Sequence, residues 1–273
     1  RTSARGDRGA DQRGAYTSMI ITSDTQRTNL IEGGKRLAAV LEALRTQVAP
    51  GVTTDTLDDF AERMIRDGGD EPCFLGYTPE GANRPYPATL CVSINDEVVH
   101  GIPNESVRVL REGDIVGLDL GLRHNGIIVD AAITVPVGKV SEEILKLLRA
   151  TEASLAAGIA AAKPGNHVGD IGAAIQEVIE RAGFKVIKEL GGHGVGDVVH
   201  EEPFISNFGR RGEGELLEEG MVLALEPISA AGKASVILMP DGYTYRTKDG
   251  SKSAHFEHTI LLDRDGALTV TKL

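Results

Sequence analysis

Six side chains able to bind a metal or move a proton stand out, although they lie far apart along the chain. Asp119 interrupts "DIVGLDLGL", Asp130 interrupts "GIIVDAAITV", Glu226 ends the apolar "MVLALEP", and Glu257 sits in "SAHFEHTILL". His193 and His200 flank the glycine-rich "GHGVGDVVH". Aspartate is a poor strand residue, so two in adjacent strand candidates imply a purpose. Any one of the four acids could simply face solvent, but that reading weakens when all four accompany a histidine-glycine segment. Two divalent cations would neutralise two aspartates and two glutamates, and oxygen ligands with one imidazole suit Mn, Co, Fe or Zn. Two such ions about 3.5–4 Å apart can share a hydroxide and clamp a tetrahedral intermediate. The chemistry these residues suggest is metal-assisted hydrolysis.

The elements that must position them follow from periodicity. Ser23 with Gln26 fits a capping box, and Leu30, Gly34, Leu37, Leu41, Leu44 and Val48 form a helical stripe that Pro50-Gly51 stops. A second helix carries Leu57, Phe60, Ala61, Met64 and Ile65 and ends at Gly68-Gly69. Strands are expected over Thr89 to Asn95, Glu97 to Ile102, Ile115 to Leu122 and Ile127 to Val135, the last two joined by the hairpin signal Asn125-Gly126. A two-residue turn there sets Asp119 opposite Ala132 and Asp130 opposite Gly121, making the carboxylates diagonal neighbours on one face. Helices return over Ser141 to Lys163 and Val168 to Ala182, and further strands cover Met221 to Pro227, Ala234 to Leu238 and Phe256 to Leu262.

Sliding the sequence against itself by 114 residues superposes Pro50-Gly51 on Pro164-Gly165, Leu57 on Ile171, Ala61 on Ile175, Ile65 on Ile179 and Gly69 on Gly183. Helix, helix, then strands, twice over, predicts a pseudo-twofold α+β domain in which two helix pairs cover a curved antiparallel sheet. We expect one catalytic domain over 19–273, with halves of about 24–140 and 141–273, behind a disordered or non-native lead-in over 1–18.

The totals bound the rest. The 273 residues are 41% hydrophobic and 25% charged, enough for a sizeable core, and the formal net charge of −11 gives no reason to expect nucleic-acid or anionic-lipid binding. Two cysteines, Cys73 and Cys91, make no disulfide framework, and no apolar run is long enough to span a membrane. A cytoplasmic location is expected.

"NDEVVHGIP" with His100, the Asp119/Asp130 pair, "GGHGVG", "VHEEP", "GMVLALEP" and "SAHFEHTILL", in this order from about Met19 to the end, together resemble the type I methionine aminopeptidases of the pita-bread fold. The resemblance implies that Asp119, Asp130, His193, Glu226 and Glu257 bind two divalent metals (Co, Mn, Fe or Zn), with Asp130 and Glu257 bridging and Glu226 shuttling a proton. It implies that a metal-bridged hydroxide attacks the first peptide carbonyl and releases the initiator methionine when the second residue is small. His200 would polarise the scissile carbonyl and His100 would contact the peptide beyond the first residue. Tyr77, Cys91, Val199 and Tyr243 fall at substrate-pocket positions. Family members commonly carry an aromatic residue where this chain has Val199, a tryptophan at Tyr243 and a cysteine at Phe74, and the stretch between Tyr77 and Cys91 is longer and richer in proline here. These departures bear on selectivity for the first side chain. Expected partners are N-terminal peptides of nascent chains, with transient ribosome contact and no direct nucleic-acid or membrane binding, and the expected state is a monomer. His124, His167 and His255 read as solvated, and His258 as packed. The rival enzyme reading is an Xaa-Pro peptidase, which shares the ligands but usually has an extra N-terminal domain. A metal-free pita-bread binding protein would typically have lost ligand positions, and all five ligand types are present.

Overall fold

The computed structural model describes residues 18–272, so the lead-in expected over 1–18 lies, Ser18 apart, outside the described residues. The chain runs α1 (Asp24–Gln47), α2 (Thr54–Asp67), β1 (Glu71–Pro72), β2 (Leu90–Ile94), β3 (Glu97–Val99), β4 (Ile115–His124) and β5 (Ile127–Pro136). It then repeats the order with α3 (Glu142–Ala161), α4 (Val168–Arg181), β6 (Lys185–Val186), β7 (Gly191–Gly194), β8 (Glu201–Ser206) and β9 (Val222–Leu225). The remaining strands are β10 (Ile228–Ala230), β11 (Val236–Leu238), β12 (Tyr245–Thr247), β13 (Ser253–His255), β14 (His258–Asp263) and β15 (Gly266–Thr269).

Local signals account for most of these boundaries. The Ser23 hydroxyl accepts from the Gln26 amide to start α1, and Ser141 does the same for α3 from Ile144. A shift of 114 residues carries α2 onto α4 with both ends coinciding. The stripe of α1 buries Leu30, Gly34, Leu37, Leu41 and Leu44, while Phe60 and Met64 of α2 stay half-buried at the rim beside buried Leu57, Ala61 and Ile65. Asn125 (φ 47°) and Gly126 (φ 88°) make the turn of the β4–β5 hairpin, and its register pairs Asp119 with Ala132 and Gly121 with Asp130, as the turn length dictates.

Among the described residues the strands pair antiparallel in four sheets. Strand β4 pairs with β1, β2 and β5, and the largest sheet has the order β15-β14-β9-β7-β8. One apolar cluster joins α1 and α2 to Leu118, Leu120, Leu122 and Val129, and a second joins α3 and α4 to Leu223, Leu225, Ile260 and Leu262. The two large sheets meet where β5 runs beside the start of β14. There Glu257 and Ala132 exchange backbone bonds (2.8 and 3.3 Å), and the Thr259 hydroxyl accepts from the Asp130 amide (2.9 Å) and donates to its carbonyl (2.7 Å).

Two strand expectations change. Glu226 and Glu257 occupy breaks, between β9 and β10 and between β13 and β14, rather than regular strand positions. The strand from Glu97 stops at Val99 because His100 adopts φ 59°, a left-handed conformation that ends extended pairing.

Candidate metal centre

The seam between the sheets gathers the acids. Asp119 and Asp130 reach it from the β4–β5 hairpin, and β5's bonds to Glu257 hold that residue against the same spot. From the other side, His193 on β7 pairs with Ala224 of β9, two residues before Glu226, and Leu225 pairs with His258. One ligand atom from each of Asp130, His193 and Glu257 falls within 4.8 Å of the others, and His193 Nε2 lies 3.8 Å from Glu226 Oε1.

Full ionisation of this cluster is costly without a cation. Asp119, Asp130, His193 and Glu257 are all at least nine-tenths buried, and Glu226 nearly so. Burial, reinforced for Asp119, Asp130 and Glu257 by repulsion among the acids, raises all four carboxyls above the usual carboxylate range. Asp119 Oδ1, Asp130 Oδ1 and Glu257 Oε1 are buried with no hydrogen-bond partner. Orphaned carboxylate oxygens converging on one point are a cost that a cation removes. The imidazole completes the fit. His193 Nδ1–H donates to the Gly194 carbonyl (2.8 Å), which leaves the Nε2 lone pair facing the acids, and burial pulls its pKa down to about 3, so the ring is neutral at neutral pH. Oxygen donors with one neutral nitrogen fit divalent metals of the Mn, Fe, Co and Zn group.

Beside the acids lies a cavity of about 60 Å³. It is lined by Asp119, Asp130, His193, Glu226 and Glu257 together with Phe74, Tyr77, Tyr86, Cys91, Val199 and Tyr243, and by His100 and His200. All the site residues expected from sequence therefore come together. The chain reaches His200 by a turn after β7 that brings its ring to 4.6 Å from that of His193. Gly194 permits it, since a Cβ there would lie 2.1 Å from the Glu202 carbonyl oxygen. The Tyr77 hydroxyl meets His200 Nδ1 at 2.9 Å.

Residues 28–264 match metallopeptidase family M24. The chain belongs to that family. It is 45% identical over 241 residues to a methionine aminopeptidase of Aquifex aeolicus, covering 87% of this chain and 92% of that protein. Methionine aminopeptidase 1 of Bacillus subtilis is 41% identical over 256 residues, covering 93% of this chain and all of the relative. The crystal structure of a methionine aminopeptidase from Thermotoga maritima superposes with a TM-score of 0.88 at 39% identity, covering 93% of this chain and 100% of that one. A prolidase from Pyrococcus furiosus shares the fold, with a TM-score of 0.70 at 21% identity, and only 66% of its length is covered.

Three histidines of this M24 chain depart from expectation. His255 is not solvated: it is 4% exposed, its Nε2 lies 3.4 Å from Glu226 Oε2 and 3.9 Å from Glu257 Oε2, and that nitrogen has no hydrogen-bond partner. Sequence reasoning missed it because strand alternation places residues two apart on one face only where the strand is continuous, and here it breaks at Phe256. Its spacing of two from Glu257 was the available signal. His124 pairs through Nδ1 with Asp70 (2.7 Å), and His167 is half-buried at the N-cap of α4, its amide donating to Asp170 (2.9 Å). His258 bonds Thr271 at 3.0 Å. Tyr86, which no motif singled out, joins the cavity wall because the Tyr77–Cys91 loop folds back on itself. Among the described residues, no helix is long and apolar enough to cross a membrane.

Proposed function

We propose that this chain is a metal-dependent methionine aminopeptidase that removes an N-terminal methionine when the second residue is small. The observation that carries the reading is the buried, orphaned carboxylate cluster that lines a small cavity together with aromatic residues and Cys91. Two divalent ions would be held by Asp119, Asp130, His193, Glu226 and Glu257. When bound, such ions lower the pKa of water and polarise a peptide carbonyl.

The protein's own groups do the rest. Glu226 takes the proton of the attacking water and delivers it to the departing amine, a transfer worth about 10²–10⁴ in rate. The Tyr77 hydroxyl holds His200 at Nδ1, and in the tautomer that carries its proton on Nε2 the ring would present that N–H to the carbonyl oxygen, where negative charge develops. His100 contacts the peptide beyond the scissile bond. Phe74, Tyr77, Tyr86, Cys91, Val199 and Tyr243 enclose the first side chain and limit its size. Its substrates are the N-terminal peptides of nascent chains in the cytoplasm.

An Xaa-Pro peptidase reading rests on shared fold alone, since the prolidase likeness is 21% in identity and leaves a third of that chain unmatched. Assaying Met-Ala-Ser beside an Ala-Pro peptide on one purified sample separates the two. Release of methionine that a chelator abolishes, that Mn or Co restores and that Glu226→Gln lowers by about 100-fold or more is expected. Undiminished release after verified metal removal would sink the mechanism, and preference for the Ala-Pro peptide would sink the substrate assignment.

A further inference from the structure

The segment between Tyr77 and Cys91 and the turn that carries Tyr243 are remote in sequence and meet at the cavity. The structure ties the two together. The loop is closed at its base by backbone bonds from Tyr86 N to Tyr77 O (2.8 Å) and from Gly76 N to Tyr86 O (2.9 Å), which places Arg84 beside the Asp241–Thr244 turn. There the Arg84 guanidinium forks onto both carboxylate oxygens of Glu105, the second at 2.8 Å, and donates to the Asp241 carbonyl at 3.1 Å. Its central carbon stands 5.8 Å from the centre of the Tyr243 ring, and the Tyr243 hydroxyl donates to the Arg84 backbone carbonyl. Tyr243 is thereby gripped at both its ring and its hydroxyl, while its inner face packs edge-on against Tyr86 at 5.1 Å. Tyr86 is fixed in turn by its hydroxyl bond to the Gly101 carbonyl (3.0 Å). Arg84 itself does not line the cavity; Tyr86 and Tyr243 do.

We propose that Arg84 is a specificity-determining positioning residue: its clamp between Glu105 and Asp241 holds Tyr243 against Tyr86 and so fixes the wall that meets the substrate's first side chain. This deepens the aminopeptidase reading and rests on it. A planar guanidinium within cation–π reach of the ring and bidentate to a carboxylate is a brace that lysine cannot reproduce. Arg84 touches no reacting atom, so its loss acts on how the side chain is held rather than on bond breaking.

The test compares kcat/KM for Met-Ala-Ser, Leu-Ala-Ser and Phe-Ala-Ser in the metal-loaded wild type and in Arg84→Ala. Loosening one wall of an apolar pocket changes discrimination by about one methylene's worth, so the preference for methionine over leucine and phenylalanine should fall about tenfold. For Met-Ala-Ser the change is expected in KM with kcat kept, and Arg84→Lys should not restore the preference. Glu105→Gln weakens the same fork from its far side and is read in the same way, which serves if Arg84→Ala does not fold. A methionine preference within twofold of wild type in the folded variant overturns the clamp. A wild type that leaves Met-Ala-Ser uncut overturns the aminopeptidase reading instead, so the two failures are distinguishable.

Discussion

Two histidines seven residues apart take different places because their second nitrogens have different partners. His193 gives its Nδ1 proton to the Gly194 carbonyl and turns a lone pair toward the acids, whereas His200 meets the Tyr77 hydroxyl through Nδ1 and lies beside the cavity. His255 makes a third case. Burial lowers its pKa to about 3, so the ring is neutral, and Nε2 faces Glu226 and Glu257 with no bond of its own. Its backbone is pinned on both sides by Thr134, whose hydroxyl accepts from the His255 amide (2.9 Å) and donates to its carbonyl (2.7 Å). A neutral imidazole fixed in this way can orient the two acids without competing for their charge. Removing a partner of that kind commonly costs about 10–100-fold in metal affinity. His255→Ala should lose metal affinity in that range, as read by competition with a chromogenic chelator, while the metal-free protein keeps its circular dichroism. His255→Gln, which retains a donor, should fall between the two. Equal metal affinity in wild type and His255→Ala would show that the histidine only fills space.

At the scale of elements, Asp58 does for α2 what hydrophobic packing alone does not. Its buried carboxylate accepts from the amides of Thr89 and Leu90, both at 2.9 Å, and so pins the helix to the start of β2, whose Cys91 lines the cavity. Burial pushes the Asp58 pKa up to about 6 although both amides favour the charged form. A carboxyl whose pKa is higher in the folded than in the unfolded state binds more protons when folded, so its contribution to stability falls as pH rises from about 4 to about 6. Asp58→Asn keeps an acceptor for the two amides and carries no charge. Its melting temperature should therefore gain on the wild type's as pH is raised from 4 to 7, and a constant gap would contradict the assignment. Asp58→Ala strands both amides and should cost about 2–4 kcal/mol, measurable by urea unfolding.

These elements also show what a sequence can carry. The β4–β5 register was legible because Asn125-Gly126 permits one turn geometry, and with it came the relation of Asp119 to Asp130. The coincidence of α2 with α4 was legible because apolar spacing and terminal glycines repeat together. Asp58, His255 and Arg84 were not legible in the same way. Asp58 is bonded to residues 31 and 32 positions away, and Arg84 to one 157 away, partnerships that no local period encodes. His255 needed knowledge of where a strand breaks.

Over the whole molecule, the seam that brings the halves together is also where buried acids concentrate. Four carboxyls whose pKa values burial raises sit between the two large sheets, and three of their oxygens are unpartnered. The bonds from Asp130 to Thr259 and from Ala132 to Glu257 that cross the seam each involve a residue that carries one of these acids. A cation bound there would therefore stabilise the contact between the sheets as well as prepare the chemistry. Ligand that binds only the folded state adds about 2.7 kcal/mol at a free concentration 100 times its dissociation constant. For a chain of this length that corresponds to roughly 5–10 °C in melting temperature. Adding Mn or Co to the chelator-stripped protein should produce a rise of that size, and Asp130→Asn, which removes one of the clustered carboxylates, should cut it by half or more. Arg84→Ala, remote from the acids, should retain it in full. A melting temperature indifferent to metal would mean that the cluster holds no cation in the folded state, and the hydrolytic reading would fall with it.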